Sequence, residues 1–572
     1  MKTKYIILPL VALGLAVTSC KDEMDYHEYG VVDKDFVELN FGNVGGFMTQ
    51  LYKAVPYDFG NFSNGAMQAG ATDEAEYSKI GNAIEDFYNG GWTPTNAKSA
   101  YWSSMYTAIQ AANHYIDFFQ GLDFDELKLN PDYAGQMHRY ENYVYEARFL
   151  RAYFYFILNR QYGGVPIIDH QMSAAEINSL SRNTSDEVFE FIINECSDIK
   201  DKIIRNYADL GDYAITQTES GRAGKIAVLA LRAQAALYWA SPLFNPNDDK
   251  ERYKNAADYY KELFDECQYQ GKGLTAVYAN LWSAYNFQNA EIEKELLFSY
   301  RYYKSTSGDN YVETNNYPVG IEGGTGGTCP TQNLVDAYDM LNGKGIFENG
   351  SGYDPNNPYA NRDPRLAATV AVNGDVWPSY QSNKLETFIG GRNGQPLSGA
   401  TTTSYYLKKL CNGAIDLSAS SKFKESYHTY LNIRYGGALL DYAEAVFKYT
   451  GSADVALPGH NMTARQAVNM VRNRAGMPDV TENGDAFWAK YQKERFVELA
   501  FEGHRFWDVR RWKEGAKYFT SITRMNIEKN ADGTLSYTRQ EVSRQWNERN
   551  NFYPIPQTEI TKNGNLTQNP GW

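Results

Sequence analysis

Cys20 stands directly behind the apolar run Ile6 to Val17, which itself follows Lys2 and Lys4. A short basic start and an apolar run too brief to cross a bilayer read as a cleavable export signal. Val17-Thr18-Ser19-Cys20 has the form of a lipobox, where a thiol is acylated and the chain is cut before it; Val17 and Ser19 are permissive variants of that pattern. The expectation is that residues 1–19 are removed, that Cys20 is lipidated, and that its acyl chains supply the membrane anchor. An ordinary signal peptide with an incidental cysteine is the competing reading.

Other residues offer less chemistry. The 69 carboxylates could supply an acid–base pair for glycoside hydrolysis, but no local pattern singles one out. Glu498 and Asp508 are the only motif-borne candidates, and salt-bridge roles suit both better. The sequence has no H-E-x-x-H, G-x-x-x-x-G-K-[ST], G-x-G-x-x-G or G-x-S-x-G. Its seven histidines are scattered, and a lone His504 inside a helix reads as a hydrogen-bonded core residue. Asn247-Asp248-Asp249 could join a structural calcium site, although no EF-hand loop surrounds it and a solvated turn explains it as well. We expect no catalytic residue, no cofactor and no metal site. Beyond Cys20, the cysteines at 196, 267, 329 and 411 show no metal or redox spacing; paired and buried free thiols are both open.

The formal charge of −14 falls to −16 once the leader takes Lys2 and Lys4 with it. That argues against nucleic acid and anionic lipid as ligands, since both need a basic surface. Aromatic residues make up 15% of the chain, with 46 Tyr and 10 Trp, while mean hydropathy is −0.55. So many amphipathic rings on a polar chain suggest stacking surfaces as well as core.

The elements that must position these groups are mainly helical. Trp102, Tyr106, Ile109, Asn113 and Ile116 share a face between Ser99 and Phe119; Tyr143, Ala147, Leu150, Phe154 and Leu158 do so between Tyr140 and Arg160. Further helices are predicted over Ser185–Arg205, Arg222–Ala240, Tyr253–Cys267, Ile433–Tyr449, Thr463–Arg474 and Phe487–Trp512. Ala223, Ala227, Ala230, Ala233 and Ala236 lie close to one face, which permits tight approach of neighbouring helices. The pattern of helix, turn, helix predicts tetratricopeptide-like hairpins over about 99–303 and 433–512. Between about 305 and 427, Gly323-Gly324-Thr325-Gly326-Gly327, Asp354-Pro355-Asn356-Asn357-Pro358 and Gly390-Gly391 predict an irregular insert. No linker composition divides residues 20–572, so one globular body is expected.

Several segments resemble the SusD/RagB family of nutrient-binding outer-membrane lipoproteins. YENYVYEARFLRAYFYFILNRQYGGVP, Tyr140 to Pro166, is similar to the family's E-x-R-x-L-R-A helix and Y-G-x-V-P turn. Arg472 to Pro478 resembles its R-x-R-A-G-M/L-P turn, and Glu494 to Trp512 its most recognisable helix. Tyr553-Pro554-Ile555-Pro556, Glu559-Ile560 and Gln568-Asn569-Pro570-Gly571-Trp572 resemble its closing elements. The acidic residues after Cys20 resemble a surface-export signal of Bacteroidetes lipoproteins, or are a solvated tether. The resemblance implies a non-enzymatic surface protein of the outer membrane that captures oligo- or polysaccharide for a SusC-like TonB-dependent transporter. A RagB-type peptide-binding subunit and a surface glycoside hydrolase are the alternatives. Ligand residues in the family come from an N-terminal loop region and from the insert; projected here, these are Asp73, Trp92 and Asn96, then Tyr311, Trp377, Arg392 and Tyr405. Trp92, between Asn89-Gly90-Gly91 and Pro94, is expected to hold its ring outward.

Overall fold

The computed structural model describes residues 34–98, 100–207, 221–282, 290–302, 311–380, 383–418 and 428–572. The lipobox and Cys20 lie outside these residues. The frame is a sequential array of helices: α1 (Phe41–Lys53), α2 (Ala100–Phe118), α3 (Tyr133–Tyr162), α4 (Ser185–Ile199), α5 (Lys225–Ala240), α6 (Lys250–Tyr269), α7 (Tyr435–Thr450), α8 (Ala464–Arg474) and α9 (Gly484–Glu498). From α2 to α9 each helix packs on the next, and α1 lies against α3. The protein is therefore mainly α, with tetratricopeptide-like hairpins as its scaffold.

Local chemistry sets the ends. Thr184 with Glu187, and Thr463 with Gln466, form capping boxes before α4 and α8, satisfying backbone donors that the first turn leaves unpaired. Asp249 caps α6 through Glu251 N–H, so the Asn247-Asp248-Asp249 turn serves that helix, and Lys250 pairs with Asp248 at 2.7 Å. Helix α5 is buried on almost all sides between α4 and α6, and its alanines are 0–2% exposed. Removing side-chain bulk there lets the axes approach closely.

Three boundaries differ most from the sequence expectation. Helix α3 begins at Tyr133, a turn and more before Tyr140, and α4 ends at Ile199 rather than Arg205. The segment Phe487–Trp512 is two helices, α9 and α10 (Arg505–Arg511), because Phe501 and Gly503 adopt left-handed φ values of 61° and 75°. Glycine tolerates that region freely, and one such residue is enough to end an α-helix.

The chain leaves the array after α6 and returns at α7, yet α6 and α7 pack directly together. The excursion is closed at its neck by an antiparallel ribbon of β1 (Leu296–Tyr302) and β2 (His428–Arg434), with Leu296 opposite Arg434 and Tyr302 opposite His428. Inside the excursion, Thr328–Pro330 pairs with Ala75–Tyr77, tying the insert to the N-terminal loops. A final hairpin, β3 (Ser521–Lys529) and β4 (Leu535–Ser543), was not foreseen. The largest apolar cluster joins side chains from Val37 to Leu566, and a second one lies beneath the insert. The four cysteines other than Cys20 are unpaired thiols. No helix among the described residues is long and apolar enough to cross a membrane.

Candidate functional site

Charged residues of the α9–α10 motif converge in the interior and not on a surface cleft. Glu498, 0% exposed, accepts from Arg365 and Arg434 at 2.8 Å each and also pairs with Arg474. Arg434 reaches Glu295 and Glu502 at 2.7 Å, and Lys409 reaches Glu502 at 2.9 Å. Asp508 holds Arg495 at 2.6 Å and Arg511 at 3.0 Å, while Arg511 also binds Glu444 at 2.6 Å. Burial alone raises a carboxyl, but the Arg474, Arg434 and Arg365 guanidiniums overcome it and hold Glu498 far below the usual range. For Asp508 the same contest, won by Arg495 and Arg511, ends at about 2. His504 is pushed down to about 4 by burial and by Arg495. Glu498 and Asp508 are thus ion-pair partners fastening distant segments. Their partners come mainly from elsewhere in the chain, not from along one helix face.

The residues projected onto the ligand site do not assemble into one. Asp73 is 3% exposed and forms a bidentate pair with Arg505 at 2.9 and 2.7 Å. Trp92 is turned inward, 2% exposed: its ring lies 4.6 Å from Phe87, 4.7 Å from Tyr553 and 5.1 Å from Trp572, and its Nε1–H donates to Ala97 O at 3.2 Å. The turn that was to present this ring instead folds over it. Trp377 is 2% exposed, packed edge-on against Tyr317. Tyr405 is fully buried, with its hydroxyl donating to Gln332 at 2.6 Å. None of these four offers a face to a ligand in this conformation. Asn96 is exposed, but its Nδ2 closes the local turn through Asp86 Oδ2 and Gly91 O. Arg392 is exposed and paired with Glu386 at 3.0 Å. Tyr311 begins the short helix Tyr311–Asn316; its side chain is not among those described.

That helix borders an open groove, about 690 Å³ in volume, lined by Asn61, Asn64, Tyr77, Lys79, Asn82 and Asn315 among others. It lies between the N-terminal loops and the insert, the two regions from which the ligand residues were expected. Asn64-Gly65 makes a two-residue turn closed by Ser63 and Ala66, whose backbone groups exchange bonds of 3.0 and 2.9 Å. Both turn residues have positive φ, 46° and 94°, as tight hairpin turns require. A Cβ on Gly65 would lie 2.6 Å from the Tyr77 hydroxyl, so glycine is what lets the turn rest on that ring. Lys79 Nζ donates to Thr325 Oγ1 at 3.0 Å, joining the two walls. Asn61 uses Oδ1 to accept from Phe59 N–H at 3.0 Å, and its amide N–H groups bond no described residue. Asn82 braces the turn through Ser63 O at 3.0 Å.

Side-chain amides both donate and accept, as hydroxyl recognition demands, and a groove of this size is in the range of small-ligand sites. Sequence reasoning missed these asparagines because single amides carry no spacing; the Asn-Gly dipeptide was the one local turn signal available. Among the described residues, no group of three or more His, Cys, Asp or Glu is placed to hold a metal ion.

Comparison with known proteins gives a consistent result. A model of the SusD family matches residues 294–572, and a second, described as starch-binding and associating with the outer membrane, matches residues 44–230. SusD-like protein P2 of Formosa agariphila is 24% identical over 497 residues, covering 83% of this chain and 80% of that protein. The crystal structure of a SusD-like protein from Bacteroides fragilis superposes with a TM-score of 0.75 at 24% identity, covering 95% of this chain and 99% of that one. A SusD-like carbohydrate-binding protein of the same species gives 0.70 at 21% identity, covering 93% and 99%.

Proposed function

We propose, for a chain that belongs to the SusD/RagB family, that it captures oligo- or polysaccharide at the cell surface without cleaving it. It does so in the groove between the N-terminal loops and the insert, and passes the glycan to a SusC-like TonB-dependent transporter in the outer membrane. Cys20, acylated after removal of residues 1–19, tethers it to that membrane. The observation that carries the reading is the groove's lining: amides from Asn61, Asn64 and Asn315 beside a turn braced by Asn82, with no carboxylate among its described lining residues. Such a wall hydrogen-bonds sugar hydroxyls. The carbohydrate-binding description of a structural relative supports the same class of ligand. Trp92, Asp73, Trp377 and Tyr405 serve the fold in this reading.

Calorimetry of the mature chain against a glycan panel, with chromatography of the incubated sugar, tests it. The expected outcome is saturable binding with intact sugar recovered. Combined Asn61→Ala and Asn315→Ala should weaken binding by roughly tenfold, as two lost hydrogen bonds of about 0.5–1.5 kcal/mol each imply, with the melting temperature unchanged. Binding of peptides alone would establish the RagB-type alternative, and release of shorter sugars the hydrolase.

A further inference from the structure

The loop spanning residues 56–68 has two faces. One borders the groove; the other closes a second cavity, of about 50 Å³, against α3, α5, β2 and the turn between α9 and α10. The walls of this inner cavity carry polar groups that the protein itself leaves unused. Among the described residues, no hydrogen bond engages the side-chain amide of Gln234, 5% exposed, or the hydroxyl of Tyr238, 3% exposed. Asn432 Oδ1 is buried without a partner among the described residues. Arg160 stacks its guanidinium over Trp507 at 4.6 Å and Phe156 at 5.4 Å, and among the described residues no carboxylate lies within ion-pair distance of it. Across the same space Asp58, 7% exposed, accepts only backbone N–H groups among the described residues, from Gly60 at 3.1 Å and Gln68 at 2.7 Å. Opposite charges thus share one cavity without touching.

Buried polar groups without partners are costly, by about 1–3 kcal/mol each, and a polar cavity of sufficient size resolves that cost by taking up water. One water needs roughly 10–15 Å³ of such space, so about three to five fit. A small anion would meet Arg160 favourably but would also face Asp58 and Glu502, whereas water can donate to one side and accept from the other. We propose that this cavity is an internal hydration site whose ordered waters bridge Asp58 to Arg160 and satisfy Gln234, Tyr238 and Asn432. Beneath Asp58 the groove loop then rests on water, whatever ligand the groove takes.

A high-resolution crystal structure of the mature chain, collected with and without a bromide soak, tests this directly. The expected result is about three to five density peaks within roughly 2.7–3.2 Å of these polar atoms and no anomalous peak beside Arg160. An Asp58–Arg160 ion pair filling the space, a halide at Arg160, or a cavity without density would each overturn it. Gln234→Leu should lose at least one of these peaks, and oxygen-17 relaxation dispersion should count fewer long-lived waters than in the parent. An unchanged count would refute the role given to Gln234. Should that variant fail to fold, the parent crystal still decides.

Discussion

Replacing Glu498 by Gln removes one negative charge from beside three guanidinium groups while keeping the side chain's shape. Arg365, Arg434 and Arg474 all lie against this carboxylate, which is 0% exposed. Breaking a buried ion pair by removing one partner costs about 3–5 kcal/mol, because the remaining charge is left uncompensated. Unfolding entropy near 2.1 cal/mol/K per residue amounts to about 1.2 kcal/mol/K for 572 residues. The melting temperature should therefore fall by about 3–4 °C in differential scanning calorimetry. Asp265→Asn, at an exposed pair with Lys261, is the control, with an expected shift under about 0.5 °C because such pairs contribute little. The Glu498 carboxyl is held well below its ordinary value, so its contribution is fully present above the unfolded value of about 4.3 and is lost only as pH falls through the lower folded one. The gap between parent and variant should stay constant from neutral pH down to about pH 5 and narrow only in stronger acid. Equal melting temperatures at pH 7 would refute the argument, showing that the cluster is hydrated and not a lock.

Trp92→Ala should destabilise the protein by about 3–5 kcal/mol through the cavity it leaves, read as a lower melting temperature; a variant that melts normally but has lost glycan binding would contradict the inward ring. Burial raises the Asp58 carboxyl to about 6, above its unfolded value near 3.9. That contribution to stability is whole below about pH 4 and lost as pH rises through 6, about 3 kcal/mol for two units. Asp58→Asn should flatten stability between pH 4 and 6.5 in urea titrations, and parallel curves for parent and variant would rule this out. Cys20→Ala should abolish palmitate incorporation and release the protein from the membrane fraction of cells; continued labelling would place the acyl group elsewhere.

Much of the scaffold was legible because its signals are local. Helix α2 matches the predicted Ser99–Phe119 to within one residue at each end, since a single apolar face and a following turn define it. The α9–α10 break was invisible: apolar and charged residues keep helical spacing across Leu499 to His504, and only backbone angles at Phe501 and Gly503 reveal the interruption. Partners of Glu494, Glu498 and Glu502 were equally hidden, since Arg365, Arg434 and Lys409 approach from the insert and its neck. Trp92 misled because a turn rich in glycine and proline says where the chain bends but not which side faces water. The groove's asparagines join through tertiary contact between segments some 250 residues apart, a distance at which spacing carries no information.

The β1–β2 neck has a consequence for how such a protein changes over time. Since α6 already touches α7, the array is complete whether the chain between them is long or short. Lengthening a closed loop costs little, about 0.6 kcal/mol per doubling. Insertions and deletions in the loops beyond the ribbon can therefore accumulate while the stacked hairpins stay in register, provided Arg365 and Lys409 keep their places on Glu498 and Glu502. One frame can thus be refitted by rewriting the loops that hang from two short strands.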